Sequence, residues 1–175
     1  TPTTDQDVRL IMREIPHLNG PKYLRLDKDF VEHEVECCEY NVGMVNTLRE
    51  GEDVTILGVG GVVNEALAAA TNLQKHGISV RVLSVTSLKP LDFTTIENAI
   101  NETRFLVTLE ENTLIGGLSG TVSEWCLRNG VFPDKFVSFG IPDEYSSIVG
   151  DQGYLRKNYG LDALSISDTI KSYFC

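Results

Sequence analysis

The sequence predicts a three-layer α/β/α domain whose sheet is mostly parallel, with about five strands, one of them antiparallel. Three observations carry this. From Val42 onward, apolar runs of strand length alternate with amphipathic stretches of helix length. The run VTILGVG (54–60) is almost unbroken by polar residues, as a strand buried on both faces requires. Glycines or capping residues stand between the segments, where helices stop and chains turn. Strands joined through helices of this length need right-handed crossovers, so the sheet is parallel with helices on both faces.

Each element has its own signal. NVGMVNTL (41–48) reads as a first strand, and the turn Arg49 to Asp53 delivers the chain to VTILGVG. A turn that short allows an antiparallel neighbour or a strand displaced to an edge, but no parallel crossover. Gly60-Gly61 ends the second strand, and Val62 to Lys75 carries Val63, Ala66, Leu67, Ala70 and Leu73 on one helical face, stopped by His76-Gly77. SVRVLSV (79–85) is a third strand. Asp92 suits the N-cap of a helix over Phe93 to Thr103, with Ile96, Ala99 and Ile100 facing the core. RFLVTLEE (104–111) is a strand, Gly116 to Arg128 a helix, KFVSFGI (135–141) the last strand, and SISDTIKSYF a terminal helix with Ser165 or Ser167 near its cap.

Ahead of this domain, Asp5 to Leu18 spaces Val8, Leu10, Ile11, Met12 and Ile15 helically, and Gly20-Pro21 breaks the pattern before a short strand-like KYLRL. One helix and one strand cannot bury enough apolar surface to offset the entropy of ordering them, so residues 1–28 need a neighbour. They read as the tail of a preceding domain, with residues 29–41, including the acidic HEVECCEY, as a linker to a domain over 42–175.

The formal charge of −10 argues against a nucleic-acid backbone or an anionic membrane as partner, since both require a basic face. No apolar run is long enough for a membrane span. Cys37, Cys38, Cys126 and Cys175 form no CxxC pair and have no histidine cluster, so zinc spacing is absent and idle thiols in a reducing cytoplasm are expected.

Ligands of an open parallel sheet gather at the carboxyl ends of the strands, which singles out two loops. In GVGGVVNEA, Gly58, Gly60 and Gly61 join strand to helix, but the dinucleotide pattern would need glycine at Val63, and the next strand lacks the acidic residue that holds a ribose. In EENTLIGGLSG, Glu110 and Glu111 end a strand and Gly116-Gly117 open a helix. An adjacent carboxylate pair alone supplies neither two separated pKa environments nor a full ligand set, which favours a structural or interface role for Glu111. The diglycine either packs closely against a neighbour or holds an anion. His17, His33 and His76 have no nucleophile or carboxylate at triad spacing, Ser119 sits in GLSGT rather than GxSxG, and Trp125 and Cys126 share a helix face with core residues.

Four segments in register resemble the C-terminal domain of transketolases, which is shared with 1-deoxyxylulose-5-phosphate synthases and the beta subunits of 2-oxo acid dehydrogenases. They are REGEDVTILGVGGVVNEALAAA, SVRVLSVTSLKPLD, VTLEENTLIGGLSGTVSE and FGIPDEYSSIVGDQGYLRKNYGLDA. The forms LKPLD and KNYGLDA and the upstream GPKYLRL are closest to transketolases, and GPKYLRL with DQDVRLIMREI resembles the end of that family's pyrimidine-binding domain. The resemblance implies a larger enzyme that moves a two-carbon ketol unit between sugar phosphates, as in the pentose phosphate pathway, with thiamine diphosphate and a divalent metal (Mg). It implies as partners the remaining domains or a second polypeptide, and a homodimer in the full enzyme. The chain lacks the GDG motif that holds metal and diphosphate, the catalytic glutamate segment and the histidine-rich substrate loop, so it is expected to bind no cofactor and to have no catalytic residue of its own.

The family's substrate-phosphate arginine corresponds to Lys28, which is either a phosphate ligand or a solvated linker charge. Asn112 stands where many relatives carry histidine. The alternative to a structural, dimer-completing domain is a regulatory module that binds a small anion or nucleotide at Gly58–Gly61 or Gly116–Gly117. A self-sufficient small enzyme is a third reading.

Overall fold

The computed structural model describes residues 1–28 and 41–174. The 29–41 linker, His33, Cys37 and Cys38, and Cys175 therefore fall outside the described residues, apart from Asn41. Five strands form one sheet: β1 (Val45–Arg49), β2 (Val54–Val59), β3 (Val80–Val85), β4 (Phe105–Thr113) and β5 (Lys135–Ile141), in the spatial order β1-β3-β2-β4-β5. All neighbours are parallel except β1, which lies antiparallel to β3 with Val45 opposite Val85. The expected architecture is present. The strand ahead of the short turn lies at the edge, beside β3 rather than β2.

The sequence reasons for this arrangement are local. All six residues of β2 are buried, because both faces of the sheet are covered. Helices α2 (Val63–Gln74) and α6 (Ala163–Lys171) close one face over Ile56, Val107 and Leu109. Helices α3 (Phe93–Thr103) and α4 (Leu118–Asn129) close the other over Leu57, Leu83 and Leu106. Ala66, Ala69 and Ala70 of α2 are fully buried; their small side chains let α2 lie close to both sheet and α6. Gly51 in the β1–β2 turn leaves no room for a side chain, since a Cβ there would stand 2.1 Å from the Val80 carbonyl carbon. Trp125 stacks on Phe93 at 4.9 Å between centroids, and Cys126 is buried in the same core, where burial pushes its thiol pKa up.

Helix ends follow capping chemistry. Asp92 caps α3 by accepting from the Thr95 amide at 3.0 Å, and Gly130 ends α4 in the left-handed region at φ 69°. Two expectations about the C-terminal part are corrected. The cap of α6 is Asp162, not Ser165 or Ser167: its carboxylate accepts from the amides of Leu164 and Ser165 and from Ser165 Oγ. An additional short helix, α5 (Gln152–Asn158), precedes it, capped by Asp151.

Burial pushes the Asp162 carboxyl up, but the bonds from Ser165 and Leu164 outweigh it and hold the group below its ordinary value. A depressed carboxylate stabilises the fold above its unfolded pKa and ceases to do so as pH falls through the lower folded value. Asp162→Ala should therefore cost about 1 kcal/mol in urea denaturation at pH 7. The difference should shrink as the pH falls below the ordinary value of 3.8. A pH-independent difference would mean that the carboxylate is not what caps α6.

The leading segment holds α1 (Asp5–Glu14), followed by a 3-10 turn over Ile15–His17. KYLRL is not a strand. A strand needs a neighbour to pair with, and Tyr23 and Leu26 stand exposed at 88% and 58%. Of the helically spaced apolar residues in α1, only Ile11 is buried. The segment is held to the domain instead by polar contacts: Ser84 Oγ to Thr3 Oγ1 at 2.7 Å, Asn46 Nδ2 to Asp7 Oδ1 at 3.4 Å, Gly61 N to Asp27 Oδ2 at 3.2 Å, and Arg25 Nη1 to Asn112 Oδ1 at 2.6 Å.

Candidate functional site: the carboxyl edge of the sheet

The strand order reverses direction between β2 and β4, since the chain moves from β2 to β3 on one side and then returns past β2 to β4. At such a switch point the loops leaving adjacent strands diverge to opposite faces and open a crevice. Both glycine loops lie there. In each, a carboxylate of the chain itself holds the position that an anionic ligand would take.

At the first loop, Gly60 has φ +76° and begins the 3-10 turn Gly60–Val62 that leads into α2. A Cβ on Gly60 would meet Asp27 Oδ2 at 2.7 Å, and the same oxygen accepts from Gly61 N. Asp27 thus puts negative charge at the start of α2, where the helix dipole favours it. Gly58 is close to its own helix, with Val63 Cγ2 2.6 Å from the place of a Cβ.

At the second loop, Gly116 has φ +79° with open space around it, whereas a Cβ on Gly117 would overlap the Glu110 carboxylate. Glu110 is buried to 1% exposure, and its two oxygens accept from Leu118 N and Ser119 N, each at 3.0 Å. The diglycine therefore does hold an anion, but the anion is the side chain that ends β4.

Glu111 points the other way, into an ion-pair network. Its carboxylate accepts from Arg156 Nη2 at 2.9 Å and Nε at 3.3 Å, and from Gln152 Nε2 at 2.9 and 3.2 Å. Arg156 is buried and also reaches Glu65 Oε1 at 3.6 Å, while Glu65 Oε2 accepts from the Ala163 amide at 2.8 Å. The network ties β4, α2, α5 and the start of α6 together. Lys28 is exposed at the end of the leading segment, beside the anchored Asp27.

Neither Asp27, Arg25, Gln152 nor Arg156 was singled out from sequence. Asp27 and Arg25 act 34 and 87 residues away from their partners, a separation that no local pattern records. The anion-module alternative is not favoured by this geometry, because both loops are closed by internal carboxylates. Among the described residues, no group of three or more His, Cys, Asp or Glu side chains comes together to hold a metal, and no helix is long and apolar enough to cross a membrane.

Similar proteins agree with this architecture. Residues 43–166 match the family described as transketolase, C-terminal domain. One of the two apulose-4-phosphate transketolase polypeptides of Actinobacillus succinogenes is 32% identical over 98% of this chain and 55% of its own length. The putative transketolase C-terminal section of Methanocaldococcus jannaschii is 34% identical over 97% of this chain and 53% of its own. Among solved structures, a split-gene transketolase described as an inactive beta4 tetramer superposes with a TM-score of 0.87 at 30% identity, covering 98% of this chain and 55% of that one. The chain spans about half the length of these relatives, and the match runs through both glycine loops, the sheet and all its covering helices: it belongs to the transketolase C-terminal domain family.

Proposed function

We propose that this chain is the C-terminal section of a transketolase-type transferase, in which it supports and completes the assembly while other sections carry the chemistry. The reaction so served is transfer of a two-carbon ketol unit between sugar phosphates, in the cytoplasm, by an enzyme whose full form is a homodimer of such units. Residues 1–28 are the tail of the preceding pyrimidine-binding domain, 29–41 a linker and 42–175 the C-terminal domain. The exposed Tyr23 and Leu26 and the unpaired KYLRL support this, since both lack the neighbours that a completed domain would supply.

The observation that carries the reading is that the carboxylates at the carboxyl edge are already engaged. Asp27 holds the start of α2, Glu110 the start of α4, and Glu111 is neutralised by Arg156. A divalent metal with thiamine diphosphate needs unengaged oxygen ligands, and these donors do not fit it. The cofactor and its chemistry are therefore assigned to the sections outside this chain.

Assay of the chain with thiamine diphosphate, magnesium, a ketose phosphate donor and an aldose phosphate acceptor tests this directly. No turnover is expected from the chain alone, and turnover should appear when the complementary section is added. Turnover by the chain alone would overturn the proposal. The related beta4 assembly, described as inactive, supports the same expectation.

Lys28 has a specific role in this reading: it meets the substrate phosphate in the assembled enzyme, as a point charge without arginine's bidentate fork. In the active assembly, Lys28→Ala should raise KM for a phosphorylated substrate about tenfold with kcat little changed, and Lys28→Arg should restore or lower KM. An unchanged KM in Lys28→Ala would leave Lys28 as a solvated linker charge.

A further inference from the structure

Between the leading segment and the ends of β2, β3 and β4 lies a cleft of about 610 Å³. The charged side chains lining it are Lys22, Arg25 and Lys89, and among the described residues no aspartate or glutamate lines it. That is a marked segregation in a chain where acidic residues outnumber basic ones by 25 to 15. The cause lies in the surrounding bonds: Asp27, Glu110 and Glu111 are all drawn away into helix starts and the Arg156 network. Asn112, neutral at the end of β4, accepts from Arg25 at 2.6 Å and so fixes the guanidinium at the cleft wall, where its planar fork matches phosphate oxygens.

The rest of the lining is largely apolar. Ile11 and Ile15 of the leading segment face the cleft together with Val59 and Leu88 from the domain, and the Tyr23 ring stands at its rim. Apolar walls with a few placed cations, in a volume of this size at a switch point, are the usual makings of a small-ligand site. Lys28 and both glycine pairs are outside the lining, so the cleft is separate from the substrate-phosphate position proposed above.

We infer that this cleft binds a small organic phosphate, with the phosphate between Lys22, Arg25 and Lys89 and an apolar or aromatic body against the Ile11, Ile15 and Leu88 wall. The test is calorimetric titration of the full polypeptide that carries this chain, with phenyl phosphate, ribose 5-phosphate and inorganic phosphate as probes. Phenyl phosphate should saturate at submillimolar concentration and bind about tenfold more tightly than inorganic phosphate, the gain expected from burying a ring. Ribose 5-phosphate, which lacks an apolar body, should fall with inorganic phosphate; a preference for it over phenyl phosphate would overturn the assignment of the apolar wall.

Charge reversal at the exposed Lys89, Lys89→Glu, should weaken phenyl phosphate about tenfold or more, and Asn112→Ala, which unfixes Arg25, about threefold. Lys22→Glu serves as a second reversal if Lys89→Glu lowers the melting temperature. Lys75→Glu, at the far end of α2, and Lys28→Ala should leave the titration unchanged; an effect of Lys28→Ala equal to that of Lys89→Glu would merge the cleft with the substrate-phosphate position and overturn the inference. No saturation by phenyl phosphate up to about 10 mM, or unchanged affinity in both Lys89→Glu and Lys22→Glu, would overturn it as well.

Discussion

Arg156→Met is expected to destabilise the domain by about 3–5 kcal/mol in urea denaturation, the range for removing one member of a buried ion pair. The arginine is 5% exposed, and its guanidinium meets two carboxylates, Glu111 at 2.9 Å and Glu65 at 3.6 Å, whose side chains are themselves only 18% and 25% exposed. Without it, both carboxylates stay near one another with neutral donors only: Gln152 Nε2 for Glu111 and the Ala163 amide for Glu65. Leaving a desolvated charge uncompensated costs more than the pair contributes net, so the second half of the experiment is the double variant Arg156→Met, Glu111→Leu. It should recover most of the loss, because apolar groups of similar volume often replace a buried pair at little cost. A single-variant loss under about 1 kcal/mol would show that water reaches the network and screens it as it does a surface pair.

The second large effect is expected at Gly117. A methyl group there would occupy the place of the Glu110 carboxylate, with Oε2 1.9 Å from the added Cβ. Either α4 shifts or Glu110 leaves, and in the second case the amides of Leu118 and Ser119 lose their partner. Gly117→Ala should cost about 2–3 kcal/mol, the scale of unsatisfied buried groups. Glu110→Ala should cost about 2 kcal/mol by itself for the same reason. In the double variant the clash no longer exists, so the two losses should fall short of their sum by about 1–2 kcal/mol. Additive losses would mean that Gly117 is needed for something other than room for Glu110.

Much of this fold was legible because its strands and helices carry unmistakable periods. The unbroken run of β2, the alanine face of α2 and the Asp92 cap each have one physical reading. The position of β1 was only half legible, since a short turn forbids a parallel crossover but does not say whether the strand pairs with β2 or with β3. Helix α5 left no trace, because seven residues with Gly153 and the buried Arg156 inside them show no apolar face. KYLRL has strand composition, but composition supplies no partner strand. At the site, the glycines announced that something approaches closely. What approaches was a matter of tertiary placement for Asp27, whereas Glu110 stands only eight residues before Leu118. A carboxylate ending a strand just ahead of a diglycine helix start is a signal that could have been used.

The polar seam of the leading segment has a calorimetric consequence. Neither apolar core draws a residue from positions 1–28; the segment buries Thr3, Thr4 and Asp7 and, of its helical apolar residues, Ile11 alone. Heat capacity rises on unfolding in proportion to apolar area exposed and falls with polar area exposed. Peeling this segment from the sheet edge would thus change the heat capacity very little, while melting the sheet changes it strongly. The two events would be distinguishable by their temperature curvature alone, with the first close to a straight van't Hoff line and the second visibly bent.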